Sequence, residues 1–349
     1  MIYGHGDDLY KYEGLVKANF SSNIYQNADL GPLEKHLAGR LDVIGNYPEP
    51  APLSLEKAIA GEQGVSEEEV TVTNGATEAI YIIAAGIARR YGTDGAVNII
   101  QRPTFSEYAD ACRMNGLSIA NDGSLATGRK VYWTCNPNNP TGSVTPASEL
   151  LGMADSRPDD LFVIDQSYEH YTLEPMIADR DAVSRNNIIL LHSMTKRFCV
   201  PGLRLGYAIA NRGLSRRLKR LRHPWSVNAL AIEAGLFMIN NRLSVIPAID
   251  GYLNEARRLR NGLDSIDEVS VLDTKTNFML ASISVGDATK LKEFLAVRHG
   301  LLIRDASNFN GLDKSYFRVA AQGVAEDDML VAAVKDFIAA QKRQQCSSL

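Results

Sequence analysis

The chain has 349 residues, 45% of them hydrophobic and 22% charged, with a formal net charge of −4. That is ordinary soluble composition, long enough for two domains; it offers no broad basic surface for nucleic acid, and no apolar run approaches the roughly 20 residues that span a bilayer. The opening Met1-Ile2-Tyr3-Gly4-His5-Gly6-Asp7-Asp8 lacks the basic and apolar regions of a secretion signal, the four cysteines lie far apart with no Cys-x-x-Cys pair, and the six histidines are scattered. A reduced, cytoplasmic protein with no metal site, no membrane contact and no nucleic-acid partner is therefore expected.

Residues 1 to about 35 are polar and irregular, and Leu33 to Leu41 predict a short helix. Asn46-Tyr47-Pro48-Glu49-Pro50-Ala51-Pro52 is too proline-dense for helix or central strand and reads as a connector. Val70–Thr73 is β-branched and predicts a strand; Asn74-Gly75-Ala76-Thr77 turns it into a helix over Ala76–Arg90, with Ala79, Ile80, Ile83, Ala84 and Ile87 on one face. The alternation continues through strands at Ala96–Ile100, Val131–Thr134, Leu161–Ile164, Ile188–Leu191 and Leu205–Ala210, with helices at Phe105–Met114 and Pro146–Ala154. Repeated strand–helix units predict an α/β fold with a mostly parallel sheet covered by helices, whose ligands sit beyond the carboxyl ends of the strands. Further on, helices are predicted over Pro224–Asn240, Ala248–Leu263 and Ala288–Val297, and strands at Val269–Leu272, Asn277–Ala281, Leu301–Arg304 and Tyr316–Ala320. Met329, Leu330, Val334, Phe337 and Ile338 form the core stripe of a last helix, and Gln344–Leu349 read as disordered.

Four motifs follow predicted strands. Gly75-Ala76-Thr77 leaves backbone N–H groups free at a helix start, which suits an anion, or is simply a capped turn. Asn136-Pro137-Asn138-Asn139-Pro140 is a stiff turn that presents Asn139. Asp165 ends a hydrophobic strand, with Tyr168 three residues on; a buried carboxylate needs a partner, which a protonated pyridine nitrogen or a local Arg would supply. Ser193-Met194-Thr195-Lys196 and Pro201-Gly202-Leu203-Arg204 lie between two apolar runs. A lone lysine is usually exposed, but one held between buried strands is costly as a free ammonium, and that cost disappears if the amine forms an imine with an aldehyde. The nearby hydroxyls and the guanidinium suit a phosphate. An aldehyde and a phosphate on one molecule point to pyridoxal phosphate. An aromatic from Phe105 or Tyr108 could stack on its ring, though such residues are more often core.

Gly-Ala-Thr-Glu-Ala, Asn-Asn-Pro-Thr-Gly, Asp-x-x-Tyr, and Ser-x-Thr-Lys with Pro-Gly-Leu-Arg-x-Gly-Tyr, in this order, resemble the fold-type-I pyridoxal-phosphate enzymes of the class I/II aminotransferase family, from about Ala18 to Phe337. The resemblance implies a large domain over residues 41–245 with the cofactor sheet. It also implies a smaller α/β domain from both termini, with residues 1–40 as arm and part of it and 246–349 as the rest. Lys196 would carry the cofactor and move protons, Asp165 would pair with the pyridine nitrogen, and Asn139 and Tyr168 would bond the ring oxygen. Gly75, Ala76, Thr77, Ser193, Thr195 and Arg204 would hold the phosphate, and Tyr108, ahead of Phe105, would stack on the ring. Arg318 would grip a substrate carboxylate. Tyr47 would reach the neighbour's cofactor phosphate across a homodimer interface.

Two branches fit best, histidinol-phosphate aminotransferases and threonine-phosphate decarboxylases. Transamination of a phosphorylated amine or amino acid, alternating with glutamate and 2-oxoglutarate, is the first expectation. A threonine-phosphate decarboxylase serving cobalamin synthesis is the alternative. Gly4-His5-Gly6, Phe20-Ser21-Ser22-Asn23-Ile24 and Ile303 to Leu312 look like the decarboxylase branch. His5, Asn23 and Arg304 would meet the substrate, Arg304 at its phosphate. Asp7 stands where the decarboxylases usually have glycine, and Gln322 where a basic residue is common. A non-enzymatic regulator is disfavoured, since no helix-turn-helix or basic extension accompanies the domain.

Overall fold

The computed structural model describes residues 8–123 and 128–347. Its main sheet has seven strands: β1 (Val70–Thr73), β2 (Val97–Ile100), β3 (Ile119–Ala120), β4 (Lys130–Cys135), β5 (Leu161–Asp165), β6 (Ile188–Ser193) and β7 (Gly206–Ala210). They lie in the order β1-β7-β6-β5-β4-β2-β3, with β7 antiparallel to both neighbours and every other pairing parallel. All residues of β5 and β6 are buried, as strands covered on both faces by helices must be. The helix Gly75–Tyr91 buries the apolar stripe read from its sequence, Ala79, Ile80, Ile83, Ala84 and Ile87. Among the described residues no helix is long and apolar enough to cross a membrane.

The register of the sheet makes the site. Thr73, Gly206 and Ser193 stand opposite one another across β1, β7 and β6. Asp165 stands opposite Cys135 on one side and Leu191 on the other. The residues that end β1, β4, β5 and β6 and begin β7 thus share one rim, and the loops leaving it meet above it.

A second, antiparallel sheet takes β8 (Val269–Val271), β9 (Phe278–Ile283), β10 (Arg304–Asp305) and β11 (Tyr316–Ala320) in the order β10-β11-β9-β8. The helices Ile249–Asp264 and Val324–Ser347 pack on it through Leu259, Leu263, Leu330 and Phe337.

Several expectations are corrected. Leu301–Arg304 is not one strand: Leu301–Leu302 pairs with Ala18–Asn19, in the arm read as irregular, and Arg304 leaves to join β11. The helix expected from Pro224 begins only at Ala229, where the Asn228 side chain caps it by accepting from the Ala231 N–H at 2.8 Å. The helix from Ala288 gives way after Phe294 to a wider turn that ends at Gly300 with φ +71°. The last helix runs on through Ser347, so Gln344–Ser347 are helical, and Met329 is 47% exposed and outside the core stripe. Leu53–Gln63 forms a helix that the proline-rich connector before it concealed.

The helix Leu53–Gln63 carries a deeply buried acid. Glu56 is 1% exposed and bonds Lys219 at 2.8 Å, Arg222 at 2.6 Å and the Val72 amide at 3.2 Å, tying the helix to β1 and to Arg212–Lys219. Removing one member of a buried ion cluster strands the others. Glu56→Ala should therefore lower stability to urea unfolding by about 3 kcal/mol; an unchanged midpoint would show the cluster to be inert.

Candidate active site

Above the shared rim lies a cavity of about 320 Å³. Twelve of the residues expected at the site line it: Asn23, Ala76, Thr77, Tyr108, Asn139, Asp165, Tyr168, Ser193, Thr195, Lys196, Arg204 and Arg318. Gly75 does not line it but shapes it. Its φ is +78°, and a Cβ there would sit 2.8 Å from Nη2 of Arg204, so only glycine lets that guanidinium fold over the start of the helix. Arg204 itself is left-handed at φ +53° and donates to the Pro201 carbonyl at 3.2 Å. First-turn N–H groups have no partner within their helix, so the helix start, Thr77, Ser193, Thr195 and Arg204 together form an anion cradle.

Asp165 forms the opposite end. It is 4% exposed. Its Oδ1 accepts from the Ser167 N–H at 2.9 Å and the Ser167 hydroxyl at 2.5 Å, and its Oδ2 from the Tyr108 hydroxyl at 2.7 Å. Burial raises its pKa above the ordinary value, although Ser167, Tyr108 and the more distant charge of His192 oppose the shift. Such a carboxylate fits a cationic ring nitrogen.

Lys196 lies between the two ends. Its Nζ is 5.6 Å from the centre of the Tyr168 ring, and the Tyr171 hydroxyl fixes the lysine's backbone by donating to its carbonyl at 2.9 Å. The segment between the two apolar runs opens with a single helical turn, Met194–Arg197, springing directly from β6. Burial pushes the Tyr168 phenol up to about 12, so it remains a donor at neutral pH.

The third wall is basic. Arg318 donates to the Asn139 side-chain oxygen and, at 2.5 Å, to the Ser21 carbonyl. Across the β10–β11 pairing it faces Arg304, which does not itself line the cavity, is 6% exposed and donates to Asn308 at 2.8 Å. Burial, then the neighbouring Arg318 charge, lowers the Arg304 pKa to about 10, which still leaves a cation at neutral pH. Asn23 lies beside Tyr168 and its buried amide makes no well-formed hydrogen bond to any described residue. A buried amide in that state is poised for a ligand.

Other placements differ from expectation or add to it. Tyr108 is 1% exposed, its ring lies along Trp133 at 5.7 Å and its hydroxyl is on Asp165, while the less buried Phe105 lines the same cavity. Tyr47 is 86% exposed and does not line its own chain's cavity. His5, with Asp7, lies outside the described residues. Gln322 is 3% exposed and bonds backbone groups, its Oε1 accepting from the distant Gln26 N–H at 3.3 Å and its amide nitrogen donating to the Ala320 carbonyl at 3.1 Å. Both X-Pro bonds of the 136–140 turn are cis. Ser21, Ser22 and Ser167 were not anticipated as lining residues. For Ser167 a signal existed, since Asp followed two residues later by Ser is a common side-chain-closed turn.

The anion cradle, the lysine and the buried carboxylate suit, in that order, the phosphate, the aldehyde and the ring nitrogen of pyridoxal 5′-phosphate. Comparison with known proteins agrees. Residues 16–335 match the family Aminotransferase class I and II. The crystal structure of L-threonine-O-3-phosphate decarboxylase from Porphyromonas gingivalis superposes with a TM-score of 0.86 at 35% identity, covering 92% of this chain and 99% of that one. The threonine-phosphate decarboxylase of Salmonella typhimurium is 28% identical over 92% of this chain and 91% of its own. The histidinol-phosphate aminotransferase of Methanocaldococcus jannaschii is 25% identical over 94% and 90%. The chain therefore belongs to the class I and II aminotransferase family, a fold-type-I enzyme with pyridoxal 5′-phosphate as its cofactor.

Proposed function

We propose that this protein is a lyase that removes the α-carboxylate of a phosphorylated amino acid of the threonine-phosphate type. The observation that carries this reading is the pair of buried guanidiniums, Arg304 and Arg318, facing each other on β10 and β11. Like charges held opposite one another on one sheet face suit a ligand with two anionic groups. A phosphorylated α-amino acid has both a carboxylate and a phosphate, whereas histidinol phosphate has only the phosphate. The relatives named for this decarboxylation support the same choice. Transamination of a phosphorylated amine, which the sequence motifs placed first, is the second reading. It is favoured by the aminotransferase relative, and because glutamate, its amino donor, is also a dianion.

Bound pyridoxal phosphate supplies an electron sink for the bond broken at the substrate's α-carbon. In our assignment Lys196 holds the cofactor and carries protons to and from that carbon. Asp165, fixed by Ser167 and Tyr108, keeps its charge against the ring nitrogen. Phe105, rather than Tyr108, covers the ring face, because the Tyr108 ring lies on Trp133 and its hydroxyl on Asp165. Asn139 accepts from Arg318 through its oxygen and so turns its amide N–H groups, with the Tyr168 hydroxyl, toward the ring oxygen. Arg318 and Asn23 orient the carboxylate, and Arg304, with His5, takes the substrate phosphate. The orientation that Arg318 and Asn23 impose on the carboxylate would decide which bond at the α-carbon is broken.

The same reading includes a homodimer. Tyr47 stands tilted against Trp225 at 5.6 Å on a surface that also exposes Leu41, Ile44 and Leu53, and a second copy covering it would carry Tyr47 to its partner's cradle. It also includes the division at residues 40 and 245, supported by the pairing of Ala18–Asn19 with Leu301–Leu302.

Two measurements test this function. Holoprotein given O-phosphothreonine should release carbon dioxide; glutamate formed from histidinol phosphate and 2-oxoglutarate, without such release, would select transamination. Asp165→Asn tests the charge balance. The Asp165 pKa is raised in the fold above the ordinary 3.8, so above that pH ionisation favours the unfolded chain, and below it neither state carries the charge. The cofactor-free Asn variant should melt higher than wild type at pH 7, lose that advantage as pH falls toward 3.8, and bind cofactor more weakly. A variant that melts lower at pH 7 would contradict the electrostatics.

A further inference from the structure

Behind the cavity lies an ionic cluster that the chemistry above does not use. Successive residues of a strand point to opposite faces. Ser193 faces the cavity, so His192 faces away. The His192 ring is 2% exposed and is gripped from both sides, Nδ1 at 2.8 Å from the Glu169 carboxylate and Nε2 at 2.9 Å from that of Asp179. It lies flat on Tyr207 of β7, with centroids 4.7 Å apart and planes 17° apart. A ring bonded to a carboxylate at each nitrogen donates from both, and so is an imidazolium.

The two carboxylates belong to segments that need to be held. Glu169 directly follows Tyr168 and ends the run that begins at Asp165. Asp179 starts the helix Asp179–Val183, which packs against β6 and β7. His192 itself stands one residue before the cradle's Ser193 and four before Lys196. One cation therefore ties the chain carrying Asp165 and Tyr168 to the end of β6 that carries Ser193 and leads into the Lys196 turn, from the face of the sheet away from the cavity. The Tyr171–Lys196 bond ties the same two segments from the other end.

We propose that His192 is a positioning residue: its imidazolium, clamped between Glu169 and Asp179, holds the Asp165–Tyr168 segment and the Lys196 turn in the mutual placement that the cofactor requires. This rests on the cofactor, not on the choice between decarboxylation and transamination. The charge matters as well as the bonds, because a neutral side chain would leave the buried Asp179 and the half-buried Glu169 carboxylates facing one another. Burial alone would lower the ring's pKa, but Glu169 and Asp179 outweigh it and raise it to about 10. The surrounding ionisable groups are Asp165 on β5, His170 beside Glu169, Tyr207 beneath the ring, and the Arg197–Glu62 pair near Glu169.

The test compares His192→Gln, which keeps a hydrogen-bonding side chain without charge, with His192→Arg, which restores a cation. Apoprotein is titrated with pyridoxal phosphate and binding is followed by cofactor absorbance, with circular dichroism as the check on folding. His192→Gln should weaken binding about tenfold or more, the usual consequence of losing hydrogen bonds to charged groups, and His192→Arg should recover most of that loss. The stabilisation of wild-type apoprotein over His192→Gln should be full below pH 6.5 and vanish as the pH rises to about 10, since a raised pKa favours the fold only while the ring is protonated. Equal binding by wild type and His192→Gln, or equal weakening by Gln and Arg, would overturn the proposal, whichever substrate the enzyme takes. If the Gln chain does not fold, Asp179→Asn, which removes one carboxylate of the clamp, takes its place: weaker binding with unchanged circular dichroism supports the clamp, and unchanged binding overturns it.

Discussion

A carboxylate withdrawn from water at the end of a fully buried strand sets the terms for this structure. Asp165 is accommodated there because other groups are brought to it: Ser167 from its own turn and Tyr108 from a helix that follows another strand. Each contribution depends on the strands ending level with one another. The pairing of Asp165 with Cys135 and Leu191, and of Ser193 with Gly206, is therefore as much a part of the site as any side chain that lines it.

Charge is graded along the cavity. The helix start and Arg204 make one end positive, Asp165 makes the other negative, and Lys196 stands between them. Arg318 adds positive charge from the other sheet, with Arg304 opposite it across the strand pairing. Such a field favours one orientation for a cofactor with an anionic and a cationic end.

Much of this was legible in the sequence, because the responsible signals are local. Lys196 stands out as a cation between two apolar strands, Asp165 as an acid ending a third, and Gly75 as a strand-to-helix turn. What was hidden depends on partners distant in the chain. Nothing near Tyr108 says that its hydroxyl will meet Asp165, 57 residues on. His192 reads as one more residue in a strand until the fold brings Glu169 and Asp179 to its two nitrogens. The break between Leu302 and Arg304 is invisible for a related reason: an apolar run shows that a segment is extended but not which of two sheets each half will join.

Borohydride reduction of the holoprotein, followed by proteolysis and mass spectrometry, tests the central assignment most directly, because it turns a reversible bond to the cofactor into a permanent mark. The phosphopyridoxyl mass is expected on the peptide carrying Lys196 and on no other. A mark on a different lysine, or none after reduction of a protein that holds its cofactor, would contradict the site described above.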